Sequence, residues 1–315
     1  MIDKSLFESI MASFKPFGRE RSLLEMLWKK AESLGECSID RFGSLIVHRS
    51  GGGKRIMLAA QADVPSVLVT YVEADGAARF LMTGKSAMQL DEGTEVLVDG
   101  NNYTVAWDED CTGASDLQRM RILPGPAPLH VGDKGVLTAE TLLTEKNLSG
   151  ANGGIAAALL VLLEALTVAP EEADVYAVFS IGSEADLVSQ RGIKCAAFHI
   201  QPQLGISLEA LSTGKAAVSC GEGPVLLLSD EHAFLRRPML RLYRRAAEES
   251  GAALQYAALS ETSRETALHH YQCQGADAIT LALPTEKIGT VEKINQQDLD
   301  SCVQIVAELM KLYLE

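Results

Sequence analysis

The sequence predicts an α/β protein: a central mixed sheet sandwiched by helices, with a small β-barrel domain inserted. Three observations support this fold class. The first 35 residues have helical periodicity, residues 64–144 lack it, and strands and helices alternate from residue 145 to the end. A chain of 315 residues is about twice a typical domain length, which favours one large core with an inserted module.

The first elements are two amphipathic helices, because apolar side chains recur at helical spacing at Leu6, Ile10 and Phe14 and then at Leu23 and Leu27. Residues 38–48 are β-rich around a turn at 41–43, and residues 55–60 form a short apolar run typical of a buried strand. The glycine tract at 51–53 lacks P-loop spacing. We therefore interpret it as a hairpin loop between two strands.

The segment 64–144 predicts the inserted all-β domain. Alternating strands at 67–72 and 95–98 are each followed by an Asp-Gly pair, at 75–76 and 99–100, which is a strong hairpin signal. Residues 1–63 and 145–315 would then form the α/β core.

The second part of the core alternates between the two element types. We expect helices from Asn152, from Ala185, at 238–250 and from Gln296, and strands at 175–180, 205–208 and 276–283. This order predicts a sheet with helices on both faces.

Composition excludes several function classes. Apolar residues make up 47% and charged residues 22%, a globular balance, and the net charge of -14 disfavours nucleic acid and anionic membranes as partners. A peptide, a small molecule or another protein is the expected partner. The N-terminus lacks a signal-peptide pattern and no apolar run reaches the roughly 20 residues of a membrane span, so we expect a cytoplasmic protein. Six cysteines without a CxxC pair predict free, mostly buried thiols.

Polar residues follow three of the predicted core strands. They are Asp63, the pair Ser183 and Glu184, and Glu209. Because binding sites of such sheets form where strands end and loops begin, the sequence predicts a cleft with three carboxylates and one hydroxyl.

These strand ends also carry a resemblance to metallopeptidase family 42, the glutamyl and deblocking aminopeptidases that form tetrahedral particles, which include proteins once named cellulases. Its motifs run nearly end to end: Gly18-Arg19-Glu20, Asp40 with Gly43, residues 58–63 where the family has A-H-x-D, residues 150–154 where it has D-N-R-x-G, residues 221–224, and Leu283-Pro284 leading to Thr290 and Glu292. The resemblance implies an aminopeptidase-like α/β core, the β insertion, and peptide hydrolysis by two divalent ions about 3.5–4 Å apart.

The same resemblance assigns the ligand positions one by one. The first histidine ligand falls on Gln61, the bridging aspartate on Ala151, the catalytic glutamate on Ser183, its ligand neighbour on Glu184, the next aspartate on Glu209 and the last histidine on Gly289. Asp63 matches the aspartate that orients the first histidine. Only Glu184 and Glu209 keep a carboxylate, and the general base is lost.

We therefore expect a divergent member without metal-dependent peptidase activity, which retains its cleft for a peptide or small molecule and forms a homo-oligomer, or a mixed oligomer with an active paralogue. No cofactor is expected. The alternative is an active aminopeptidase with a rearranged site of Glu184, Glu209 and Glu265 that binds zinc, cobalt or manganese weakly or at a single position.

Other constellations give weaker signals. His269, His270 and Cys273 lie on one predicted helix, where the spacing of four places His269 and Cys273 on one face, but no third metal ligand is in view. His232 is a solitary loop residue. Ser183 lacks the flanking glycines of a nucleophile elbow. Glu184 with Glu209 could form the carboxylate pair of a glycosidase, but the chain is poor in the aromatic residues on which sugars stack. The arginines between 236 and 245 make a basic helix, either a solvated face, a subunit contact or an anion site. His48, His130 and His199 have no suggestive neighbours in the sequence.

Overall fold

The computed structural model describes residues 2–83, 90–182, 191–229, 234–259 and 276–315. Within them lie an eleven-stranded mixed sheet flanked by helices and a closed six-stranded antiparallel barrel. The predicted fold class is confirmed.

The described strands are, in chain order, β1 (Glu36–Ile39), β2 (Leu45–Arg49), β3 (Arg55–Gln61), β4 (Ser66–Val72), β5 (Ala78–Met82), β6 (Glu95–Val98), β7 (Asn101–Trp107), β8 (Met120–Ile122), β9 (Lys134–Thr138), β10 (Leu142–Leu143), β11 (Asn147–Ala151), β12 (Asp174–Ser180), β13 (Leu204–Ser212), β14 (Val225–Ser229), β15 (Gln255–Ala258), β16 (Asp277–Ile288) and β17 (Val291–Asn295). The described α-helices are α1 (Lys4–Ser13), α2 (Arg21–Ala31), α3 (Gly153–Thr167), α4 (Arg191–Ile200), α5 (Arg237–Ser250) and α6 (Gln296–Leu314).

The main path of the sheet has the order β1-β2-β12-β3-β13-β16-β17-β11-β10, and β14 joins β16 to β15 beside it. The four strands β12, β3, β13 and β16 are parallel to their neighbours within this group, while β2 and β17 pair antiparallel on either side of it. The parallel strands therefore end at one edge, where the predicted cleft residues belong.

Both faces of the parallel strands are buried. On β3, Ile56 and Leu58 belong to the large core that also includes residues of α1, α2, α3, α5 and α6, whereas Met57 and Ala59 pack with residues of α4. Burial on both faces explains the continuous apolar run of this strand. α3 is apolar around almost its whole circumference because it is buried beneath other helices of the same face.

The barrel closes in the order β4-β5-β8-β7-β6-β9. Both Asp-Gly signals lie in its hairpins: Gly76 and Gly100 have φ of 86° and 85°, and Asp99 has φ of 47°. Positive φ is what tight hairpin turns require. The interior of the barrel is a separate apolar cluster that includes Val67, Val96, Val105 and Ile122.

Several predictions differ from the structure. The tract at 51–53 joins β2 to β3, but β12 lies between these strands, so the hairpin interpretation is wrong. A tertiary crossover of this kind leaves no local signal. The five described thiols are free as expected, yet only Cys302 among them is buried. In the described residues no helix combines the length and apolarity needed to cross a bilayer.

Candidate functional site

Polar residues of three central strands lie at one level of the sheet. Gln61 and Ser180 end their strands, whereas Glu209 lies within β13, which continues to Ser212 by pairing with β16, so the prediction that Glu209 follows its strand is wrong. Gln61 ends β3 and is paired with Ser180, the last residue of β12. Glu209 of β13 lies one residue beyond Leu208, which pairs with Ala60. Gln61 and Glu209 therefore lie at the same level of adjacent strands. The cleft predicted at this edge stays a prediction.

Gln61 is turned toward the chain's own backbone. Its Nε2 donates to the carbonyl oxygen of Asp63 at 3.0 Å, and both residues are buried. The Nε2 of Gln61 is thereby satisfied by a backbone carbonyl oxygen, at the position where the resemblance implies a histidine ligand.

A second carboxyl group lies beside Asp63. Glu20 is buried, and its Oε1 accepts the N–H of Gly18 at 2.8 Å. Burial raises the pKa of Glu20, and the neighbouring Asp63 carboxylate raises it further.

Ala151 ends β11 directly before α3. The next residue, Asn152, has a left-handed φ of 62°, and the N–H of Gly154 donates to Oε2 of Glu292 at 2.9 Å. A β-carbon on Gly154 would lie 2.4 Å from the β-carbon of Ala210. The helix start thus packs against the residue after Glu209, and the N–H of Gly154, which has no acceptor within the helix, is satisfied by a glutamate.

Gly289 lies in the turn between β16 and β17 and has φ of 60°. A β-carbon built on it would lie 2.6 Å from Oδ2 of Asp91, a residue of the barrel. The space into which a side chain at position 289 would extend is therefore bordered by a carboxylate from the inserted domain.

These residues do not fit a pair of divalent ions. Of the described positions where the resemblance implies a ligand, Gln61 offers only a neutral amide oxygen, a weak ligand beside an imidazole, Ala151 and Gly289 have no side-chain donor, and Glu209 alone has a carboxylate. Across the described parts of the chain, no group of three or more His, Cys, Asp and Glu side chains is arranged to hold a metal. We therefore derive no hydrolytic step through a metal.

Comparison with known proteins identifies the scaffold. The family model described as M42 glutamyl aminopeptidase matches residues 129–305, more than half of the sequence. The chain belongs to the M42 family. Fold and family therefore agree with the resemblance seen in the motifs.

Individual relatives are distant. A protein of Acetivibrio thermocellus, named as a candidate aminopeptidase, is 24% identical over 310 residues, covering 92% of this chain and 93% of that protein. An aminopeptidase from the archaeon Desulfurococcus kamchatkensis has a TM-score of 0.86 at 20% identity, covering 99% of this chain and 94% of that one. The Pyrococcus horikoshii TET1 peptidase, described as able to assemble into a tetrahedron or a large octahedral shell, has a TM-score of 0.82 at 19% identity, covering 97% of this chain and 98% of that one. At these identities the structural likenesses establish the fold alone.

Other predicted residues of this M42 chain lie outside the described ranges. They are Ser183, Glu184, His232, Glu265, His269, His270 and Cys273. The carboxyl pair of Glu184 with Glu209 and the histidine helix therefore stay predictions.

Two features were missed from the sequence. Asp91 gave no signal, because its approach to Gly289 joins residues far apart in the chain. His48 has no suggestive neighbours in the sequence, but in the structure its Nε2 lies 2.8 Å from Oδ1 of Asp174, and its ring stacks on Tyr176 with centroids 4.0 Å apart. The antiparallel pairing of β2 with β12 places these side chains together.

Proposed function

We propose that this member of the M42 family has kept the aminopeptidase scaffold and lost metal-dependent peptide hydrolysis, and that its cleft binds a peptide or a small molecule. The observation that carries the proposal is the lack of suitable donors at Gln61, Ala151 and Gly289. Two-metal hydrolysis needs a carboxylate that bridges the ions and offsets their repulsion, and an alanine methyl supplies neither function.

The loss of the general base supports the same conclusion. The resemblance places Ser183 where the family has a glutamate, and a serine hydroxyl does not accept a proton at neutral pH as a carboxylate does. Removing a positioned general base typically lowers a rate by about 10²- to 10⁴-fold.

We further propose a cytoplasmic homo-oligomer whose core comprises residues 1–63 and 145–315 and whose inserted domain comprises 64–144. The shells described for the Pyrococcus horikoshii peptidase support assembly, and the span of the barrel, from β4 to β9, supports the domain limits. Assembly with an active paralogue is the variant of this proposal that co-purification from the source cell would test.

Metal content tests the central claim. The purified full chain is incubated with zinc, cobalt or manganese, freed of excess ion, and analysed by plasma emission spectrometry. We expect less than one tight equivalent per chain and no metal-dependent release of N-terminal residues from peptides.

Two tight equivalents, with peptide release that disappears in a Glu184→Ala or Glu209→Ala variant, would overturn the proposal in favour of the rearranged site of Glu184, Glu209 and Glu265. Lys293→Ala serves as a control, because Lys293 pairs with Glu286 on the surface and occupies no ligand position.

A further inference from the structure

The outer face of α5 carries three arginines, which we call the arginine stripe: Arg237, Arg241 and Arg244. Their spacing of four and three residues places them on one side of the helix, along about 10 Å of its axis. The opposite side is buried and consists of Met239, Tyr243, Ala246 and Ala247. The three arginines are exposed, so the stripe faces away from the core.

The arginine stripe forms no ion pair within the described residues. The neighbouring arginines are paired, Arg236 with Asp277 and Arg245 with both Glu249 and Glu315. By contrast, no ion pair joins a stripe arginine to any carboxylate in the part of the chain that the structure describes. This concentration of positive charge is unusual on a chain with a net charge of -14.

Aromatic side chains flank the stripe. Phe234, just before α5, is 81% exposed, and the Arg244 guanidinium lies over the ring of Tyr256 at 5.4 Å from its centroid. An open depression of about 570 Å³ adjoins this end, lined by Arg244, Glu248, Leu254 and Tyr256 among others. Exposed arginine and aromatic side chains are enriched in protein interfaces.

We propose that the arginine stripe, with Phe234 and Tyr256, docks against an acidic surface of a second copy of this chain. The inference rests on the homo-oligomer of the proposed function and assigns one of its interfaces. Copies of a chain with net charge -14 repel one another, and a contact of a basic face with an acidic one is the arrangement that offsets this repulsion.

The contact is heterologous, because the stripe on one protomer meets a different surface on the next. Such contacts generate rings or, combined with a second interface, closed shells. The same net charge argues against nucleic acid or an anionic membrane as the occupant, because the phosphates of either would be repelled by most of the surface.

The test compares the assembly of full-length variants. The triple variant Arg237→Glu, Arg241→Glu, Arg244→Glu is matched with Arg21→Glu, Lys29→Glu, Lys30→Glu, which makes the same change in net charge on the exposed face of α2. A third variant replaces the three stripe arginines with lysine. Folding of each is checked by circular dichroism, and mass is measured by sedimentation velocity at low and high salt.

We expect the wild type to be an oligomer that weakens as salt rises, the glutamate stripe variant to weaken in association by about 100-fold or more, and the lysine and α2 variants to stay assembled. A glutamate stripe variant of unchanged mass would overturn the inference, as would equal dissociation of the α2 variant, which would point to net charge alone. A wild type that is monomeric at all concentrations would overturn both the interface and the proposed oligomer, while the metal measurement would still stand.

Discussion

Gly289, to which the resemblance assigns the last histidine ligand, tests how this turn tolerates a side chain. Gly289→Ala is expected to destabilise the chain by about 1–2 kcal/mol, because a residue with a β-carbon is disfavoured at a left-handed φ of 60°. The 2.6 Å approach to Oδ2 of Asp91 adds little, since the exposed carboxylate can rotate away. For 315 residues this corresponds to a fall in Tm of about 2–3 °C, and it is measured by thermal and urea unfolding.

The contact with Asp91 is separated from the backbone effect by a second glycine. Gly251→Ala is the matched control, because Gly251 has φ of 68° and nothing within 4 Å of its β-carbon position. In an Asp91→Ala background, Gly289→Ala should lower the free energy of unfolding by as much as Gly251→Ala does. In the wild-type background, Gly289→Ala should lower it by a few tenths of a kcal/mol more than Gly251→Ala. A Gly289→Ala variant as stable as wild type in both backgrounds would refute the reasoning.

Three further substitutions test other parts of the site and core. The pKa of Glu20 is raised from 4.5 in the folded chain, so the folded state binds the proton more tightly than the unfolded state. The stability of the wild type therefore falls as pH rises through the folded pKa. Glu20→Gln should melt at a higher temperature than wild type at pH 8, and this difference should close below pH 4.5. Asp298→Ala removes the acceptor of two backbone N–H groups, at 2.8 and 2.7 Å, and should cost about 2–4 kcal/mol in urea unfolding. Gly154→Ala should cost about 1–3 kcal/mol, because its β-carbon would meet that of Ala210 at 2.4 Å, and an Ala210→Gly background should recover part of the loss.

Local signals predicted the elements whose stability depends on local geometry. The Asp-Gly pairs predicted the two barrel hairpins because positive φ at Gly76 and Gly100 is a property of the turn itself. The final helix begins at Gln296 as predicted, and the side chain of Asn295 accepts the N–H of Gln297 at its start.

The predictions that failed depend on long-range pairing. The strand expected to end at Leu283 continues to Ile288, because β17 pairs with its second half beyond Pro284. The hairpin prediction for residues 51–53 failed for the same reason, because β12 pairs between β2 and β3. The assignment of Gln61, Ala151 and Gly289 to ligand positions by motif order stays a prediction. The approach of Asp91 to Gly289 appears only when the barrel and the sheet are placed together.

The placement of Gln61, Ala151 and Gly289 explains how the fold accommodates residues at these positions that do not bind a metal. Gln61 and Ala151 lie at strand ends and Gly289 lies in a turn, and none of the three belongs to the apolar clusters on the two faces of the sheet. A change at these positions therefore disturbs the core less than a change inside those clusters. The polar groups around them are satisfied from within the chain: the Gln61 amide by a backbone carbonyl, and the start of α3 by Glu292. A single substitution such as Gly289→His would therefore meet a left-handed backbone and the Asp91 carboxylate before it could meet a metal, and we expect that variant to bind no more zinc than wild type.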